Sequence, residues 1–248
     1  MVVGAVLVAA GAGTRLGAQV PKALVPLGDQ PLVAHAIAHL RATAVVGEIV
    51  VTAPAGYGEQ MRAAARSALA AGGTPDLPLP PELHIIEGDF PSRQASVAAG
   101  LARLSTPDDG VVLVHDAARP LAPPAMMLRL VEAVRSGHDA VVPVVAVPDT
   151  IRMVDAEDPT RAQGVVDRRD LRAVQTPQAF RAQVLRRAHA HGAGRAAEES
   201  GAATDDAALA EALSIPVHLI EGDRSAMKIT DSRDLAAAKA LLLEGHPW

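Results

Sequence analysis

Short, continuous apolar runs alternate along this chain with longer stretches of helical periodicity. Val3–Ala9 is apolar throughout and reads as a strand buried on both faces. Pro31–Arg41 follows at helical spacing, with Pro31 in the first turn, where its missing N–H costs nothing. Glu48–Thr52 predicts a second strand and the alanine-rich Gly58–Ala71 a second helix. Gly72–Pro81 holds two glycines and four prolines and is expected to be a loop. His84–Glu87 predicts a strand, Arg93–Leu104 a helix, Val111–His115 a strand, Pro124–Arg135 a helix and Ala140–Val147 a strand. Helices return at Arg181–His191 and Asp205–Ala212, then a strand at Pro216–Glu221 and a closing helix at Ser232–Leu243. Such alternation predicts an α/β fold with a doubly wound, mainly parallel sheet.

Val147–Pro177 breaks the rhythm. Short β-like pieces at Thr150–Val154, Gly164–Val166 and Leu171–Gln175 alternate there with polar turns, which predicts an inserted arm. A two-stranded arm is only marginally stable in water. Its β-branched residues, Val165 and Val166 among them, need an apolar surface over them. Pairing with a second copy about a twofold axis supplies one, so a homodimer is expected. Gly192–Gly201 is small and polar, a loop with room to move. No repeat and no long linker divides the chain, so residues 1–248 read as a single domain.

Composition narrows the function. With 248 residues, 49% of them hydrophobic, the chain can bury a sizeable core. Only Phe90, Phe180, Tyr57 and Trp248 are aromatic, too few to serve as stacking platforms for single-stranded nucleic acid. A net charge of −5 also argues against a phosphate-backbone footprint. Cysteine is absent, which excludes disulfides, thiolate chemistry and Cys-bound zinc and agrees with a cytoplasmic location. Val2–Ala10 lacks a basic flank and is too short to span a bilayer, and no other run is long enough. Neither a nucleic acid nor a membrane is an expected partner.

The first strand runs into Ala9-Ala10-Gly11-Ala12-Gly13-Thr14-Arg15-Leu16-Gly17, then Pro21-Lys22. Glycines let the backbone turn its N–H groups toward an anion, Arg15 and Lys22 add two cations, and the alanines leave room for a sugar and base. The dinucleotide fingerprint counted from Gly11 wants glycine where Leu16 stands, and no Gly-Lys-Ser/Thr follows to make a Walker loop. A bare strand-to-helix turn remains the bland alternative. Lys22 follows Pro21, whose fixed φ favours a placed lysine over a freely solvated one.

Ligands of open α/β sheets sit beyond the carboxyl ends of the strands. That rule groups the loops after Ala9, Glu87, His115 and Val147, and with them Arg15, Lys22, Ser96, Asp116 and Arg119. His115-Asp116-Ala117-Ala118-Arg119-Pro120 closes an apolar strand with a carboxylate and a guanidinium. A lone carboxylate beside a triphosphate suits Mg²⁺, and Arg119 suits a phosphate monoester. A loop cap with a surface partner is the alternative.

These strings, with Val166-Asp167-Arg168, Thr176-Pro177-Gln178, Thr204-Asp205 and Lys228-Ile229-Thr230, stand in the order of one family. The chain resembles the 2-C-methyl-D-erythritol 4-phosphate cytidylyltransferases over nearly its whole length. The resemblance implies a Rossmann-like nucleotidyltransferase fold and a reaction of the non-mevalonate isoprenoid pathway. CTP and the polyol phosphate give the CDP-alcohol and pyrophosphate, with Mg²⁺ or another divalent cation. By resemblance Arg15 and Lys22 stabilise the transition state, and Arg168 and Lys228 hold the attacking phosphate. Asp116 matches the metal ligand, while Arg119, Thr150, Thr176 and Thr204 match positions lining the polyol phosphate. Ala9, Ala10, Gly11, Ala12, Gly13, Asp116 and Ala117 fall on the nucleotide site, and Gly88, Asp89 and Ser96 are expected to select the base. The family also pairs through its arm, which implies that Arg168 reaches an active site, its own or a partner's. The Gly88–Arg93 spacing is longer than usual here, and Asp223 is the nearest candidate for a second carboxylate ligand.

Bland readings stand beside several of these. Arg168 lies in a charge cluster that alone reads as a solvated turn, and Thr204-Asp205 can be a plain helix cap. The competing functions are transfer to another polyol phosphate, such as ribitol 5-phosphate, and a non-catalytic nucleotide-binding module.

Overall fold

The apolar runs assemble into one 8-stranded sheet, and the computed structural model describes residues 1–11, 13, 16–71 and 81–244 of the chain. The sheet begins with β1 (Val3–Val8). A hairpin of two short strands, β2 (Pro26–Leu27) and β3 (Gln30–Pro31), leads into α1 (Leu32–Ala42). Then come β4 (Val46–Pro54), α2 (Gly58–Ala71), β5 (Glu82–Gly88), α3 (Arg93–Arg103) and β6 (Val111–Asp116). After α4 (Pro124–Arg135) and β7 (Ala140–Ala146), β8 (Ile151–Val154) and β9 (Ala162–Val166) form the arm. The chain closes with β10 (Arg172–Val174), β11 (Gln178–Arg181), α5 (Ala182–His191), α6 (Asp206–Glu211), β12 (Val217–Glu221) and α7 (Ser232–Leu243). The expected loop at 72–81 lies outside the described residues except for Pro81.

Sheet order is β10-β7-β11-β6-β1-β4-β5, with β12 paired to β7. β5, β4, β1 and β6 run parallel. Period-2 alternation then sorts the strand residues into two layers. Ala5, Leu7, Ile49, Val51 and Leu113 face α1, α2 and α4, packing against Ile37, Met61, Met127 and Leu130. Val6, Val50, Val112, Val114 and Phe180 face α3 and α5, packing against Val97, Leu101 and Leu185. Gly100 of α3 lies so close to β1 that a Cβ there would come within 2.5 Å of Val6 Cγ1.

Two pieces differ from the sequence expectation. β11 runs antiparallel between β6 and β7, in the middle of the sheet, although its segment read only as a helix start at Arg181. Gln178–Arg181 is polar at both ends and preceded by Pro177, so it carries no strand signal of its own. The slot between two apolar strands imposes the conformation. The last piece of the insertion also leaves the arm, because β10 pairs antiparallel with β7. The arm proper is the β8–β9 hairpin, which pairs Ile151 with Val166 and leaves Met153, Val154 and Val165 exposed. Among the described residues no helix is long and apolar enough to cross a membrane.

Candidate active site

The carboxyl ends of β1 and β6 fix the floor of a cleft. Ala9 N–H donates to the Thr52 carbonyl at 3.0 Å and Ala117 N–H to the Val8 carbonyl at 3.0 Å, so both loops leave the sheet side by side. The glycine loop then folds back on Lys22, whose N–H donates to the Gly11 carbonyl at 3.2 Å. Gly13 sits at φ +69°, and a Cβ there would lie 2.7 Å from Lys22 Cβ. Only glycine combines that left-handed backbone with that approach.

A cleft of about 360 Å³ opens above this floor. One wall carries Ala9, Ala10, Gly11, Gly13 and Lys22, another Phe90 to Arg93 and Ser96. Asp116, Ala117 and Lys228 close its end. A second cleft of about 300 Å³ adjoins it, lined by Arg119, Gln175, Thr176, Thr204 and Asp205. Arg93, Asp116 and Lys228 line both, so the two spaces meet at one carboxylate.

Asp116 takes Arg93 Nε on Oδ1 and Lys228 Nζ on Oδ2, each at 2.9 Å. Burial opposes its ionisation. The Arg93 and Lys228 charges outweigh that and hold the carboxyl well below the usual range. Lys228 is placed by its neighbours, for Ile229 N–H donates to the Ala118 carbonyl at 2.8 Å and Arg119 Nη1 to the Ala226 carbonyl at 2.7 Å. Thr176 Oγ1 accepts the Asp116 N–H at 3.0 Å and lies 3.1 Å from His115 Nδ1. Burial pushes the His115 imidazole down to about 3, so the ring is neutral and Nδ1 can accept the threonine proton.

The sequence candidates divide accordingly. Ala9, Ala10, Gly11, Gly13, Lys22, Ser96, Asp116, Ala117 and Lys228 line the first cleft, and Arg119, Thr176 and Thr204 the second. Ala12 and Arg15 lie outside the described residues. Gly88 and Asp89 are not on the cleft walls, where Phe90 and Pro91 stand instead. Ser96 Oγ is 3.2 Å from the Ser92 carbonyl, to which it donates. Thr150 and Arg168 belong to the arm and reach neither cleft of their own chain, and Arg168 donates to the Pro148 carbonyl. Asp223 is used elsewhere, capping residues 224–226 through Ser225 N–H at 2.8 Å, and does not join Asp116.

Sequence reasoning missed Arg93, Asp206 and Glu199. Arg93 opens α3 and donates through Nη1 to Asp206 Oδ2 at 2.8 Å, a partner 113 residues away. No local pattern carries such a pairing. Glu199 lines the first cleft and accepts the Arg93 N–H at 2.9 Å.

A model of the family described as 2-C-methyl-D-erythritol 4-phosphate cytidylyltransferase matches residues 3–244. The chain belongs to that family. It is 45% identical over 240 residues to the 2-C-methyl-D-erythritol 4-phosphate cytidylyltransferase of Nocardia farcinica, covering 96% of this chain and 93% of the relative. It is 42% identical to that of Rhodococcus jostii, covering 97% and 95%. The crystal structure of the enzyme from Thermus thermophilus superposes with a TM-score of 0.71 at 36% identity, covering 96% of this chain and 97% of that one. The chain is thus an enzyme of the cytidylyltransferase family, with the nucleotidyltransferase fold expected from its sequence.

For a cytidylyltransferase the donor set at Asp116 fits a hard cation. A carboxylate offers about four lone-pair sites, and two are used here. Among the described residues no cluster of three or more His, Asp or Glu could form an all-protein cage. Mg²⁺ is commonly held by one or two carboxylates, completing its octahedron with phosphate oxygens and water.

Proposed function

We propose that this chain transfers CMP from CTP to 2-C-methyl-D-erythritol 4-phosphate and releases pyrophosphate. The observation that carries the reading is the meeting of two clefts at Asp116, between Arg93 and Lys228. The glycine-loop cleft suits the triphosphate, and the cleft with Arg119 and Thr204 suits the polyol phosphate.

A phosphate oxygen of the acceptor attacks the α-phosphorus of CTP in line. The new P–O bond forms as the α–β bridging P–O bond breaks, and the pyrophosphate carries its electron pair away. No protein nucleophile is needed, so the residues position groups and stabilise charge. Lys22, with Arg15 beside it in sequence, faces the charge growing on the five-coordinate phosphoryl group and the leaving oxygen. Lys228, on the wall shared by the clefts, steadies the incoming phosphate. A divalent cation, held by Asp116, would supply further charge neutralisation to the triphosphate. Arg168 acts in this reading across a homodimer, since its own arm keeps it away from its own clefts. Ser96 and main-chain groups near Ala10 pair with the base. A cytoplasmic site of action agrees with a chain free of cysteine.

Pyrophosphate release with CTP and Mg²⁺ tests the proposal against methylerythritol phosphate and ribitol 5-phosphate in parallel. Turnover is expected with the first and at most weakly with the second. Preference for ribitol 5-phosphate would move the acceptor assignment, and CTP binding without turnover on either would make the chain a binding module.

A further inference from the structure

Asp116 belongs to a longer, largely buried chain of polar groups. Arg93 Nε holds its Oδ1, while Nη1 of the same guanidinium donates to Asp206 Oδ2 at 2.8 Å. Asp206 Oδ1 in turn lies 2.9 Å from His189 Nε2. The order is His189, Asp206, Arg93, Asp116, Lys228. Side-chain exposure is 5% at His189, 1% at Asp206, 18% at Arg93, 9% at Asp116 and 42% at Lys228, so the chain runs from the interior to the cleft.

We propose that Arg93 and Asp206, backed by His189, are positioning residues that aim the Asp116 carboxylate and leave it only half neutralised. The inference rests on the cytidylyltransferase reading above. One guanidinium is shared between two carboxylates, so Asp206 withdraws part of its charge from Asp116. Oδ1 is pinned from the dry side by groups on α3, α6 and α5. Oδ2 is held from the wet side by a lysine that both clefts can reach. When Lys228 turns to a phosphate, Oδ2 comes free with its direction preserved, and the carboxylate can accept a cation. Without Asp206 the whole guanidinium charge would fall on Asp116.

Stability alone does not account for the arrangement. Buried ion pairs are seldom more stabilising than apolar residues of the same volume, and their best attested use is geometric. Arg93 Nη2 is also buried and without a partner among the described residues, which leaves one donor unused at the junction of the two clefts.

The test measures Mn²⁺ binding by electron paramagnetic resonance with CTP present and the polyol phosphate absent, so no transfer occurs. Groups behind a metal ligand typically change metal affinity or activity by roughly 10–100-fold when altered. Asp206→Asn is therefore expected to weaken Mn²⁺ by about tenfold or more and to lower kcat comparably, with KM for the polyol phosphate within about threefold of the parent. If Asp206→Asn does not fold, the pair Arg93→Met with Asp206→Leu is read in the same way, because it removes both positioning groups together and leaves Lys228 paired with Asp116. Unchanged Mn²⁺ affinity per folded molecule, in a parent whose binding is lost on Asp116→Asn, overturns this inference and leaves the function standing. A parent indifferent to Asp116→Asn removes the cation assignment and this inference with it.

Discussion

Lys22 illustrates how far a single side chain can be read from the sequence. Its place after a proline and beside a glycine loop was legible, because φ restriction and the absence of Cβ act locally. The contact that makes Gly13 irreplaceable, a would-be Cβ 2.7 Å from Lys22 Cβ, was not. Arg93 was invisible for the same reason, since its carboxylate partners lie 23 and 113 residues away. Lys22→Ala should lower kcat by roughly 10²–10³, the usual effect of removing one preorganised donor from a developing charge. Single-turnover kinetics with unchanged circular dichroism would check it, and near-parental turnover would remove Lys22 from the reaction.

At the level of elements, the periodic helices and the apolar parallel strands were readable, because each satisfies a pattern within its own segment. β11 was not, because its neighbours define it, and of β10 only the β-like stretch at Leu171–Gln175 was readable, not its place beside β7. The β8–β9 hairpin was foreseen as an arm, and its exposed Met153, Val154 and Val165 still need cover. Arg168 follows β9 after a single intervening residue, so whatever fixes the hairpin fixes Arg168. Val154→Asp with Val165→Asp should weaken self-association at least about tenfold, since a charge would be left in a desolvated contact. Light scattering should then report monomer at micromolar concentration, and specific activity should fall with it. Full activity in a monomeric variant would dismiss the idea of an arm that serves a partner's site.

The molecule as a whole carries an acid sensitivity. Burial pushes His39 down to about 4 and His115 down to about 3, both from 6.5. In the unfolded chain both rings bind protons near 6.5, while in the folded protein they stay neutral. Between pH 6.5 and about 4 the unfolded state therefore holds more protons, and stability falls as pH falls. The loss is at most about 1.4 kcal/mol per pH unit per histidine, and it is absent above about pH 7. Asp116 and Asp206, held below the usual carboxyl range, add to the loss only under more acidic conditions. Urea midpoints should drop between about pH 7 and pH 5, and His39→Gln should flatten part of that slope. A level profile over this range would show that these rings are solvated.

β11 has a consequence for how the chain can be made. α4 carries the backbone from β6 past one empty lane before β7 begins, a gap of about 10 Å given strand spacings near 4.8 Å. The strand that fills the lane lies beyond the arm, at Gln178–Arg181. A growing chain emerges from its N-terminus, so from the completion of Ala140–Ala146 until β11 appears, that strand and Val111–Asp116 have no partner between their facing edges. Bare, apolar edges invite the wrong strand. A fragment ending at Pro177 should sediment as aggregate to a greater extent than one ending at His191, in which only the edge of β7 that takes Val217–Glu221 is still bare, so the moment of greatest vulnerability comes well after the nucleotide loop has been synthesised.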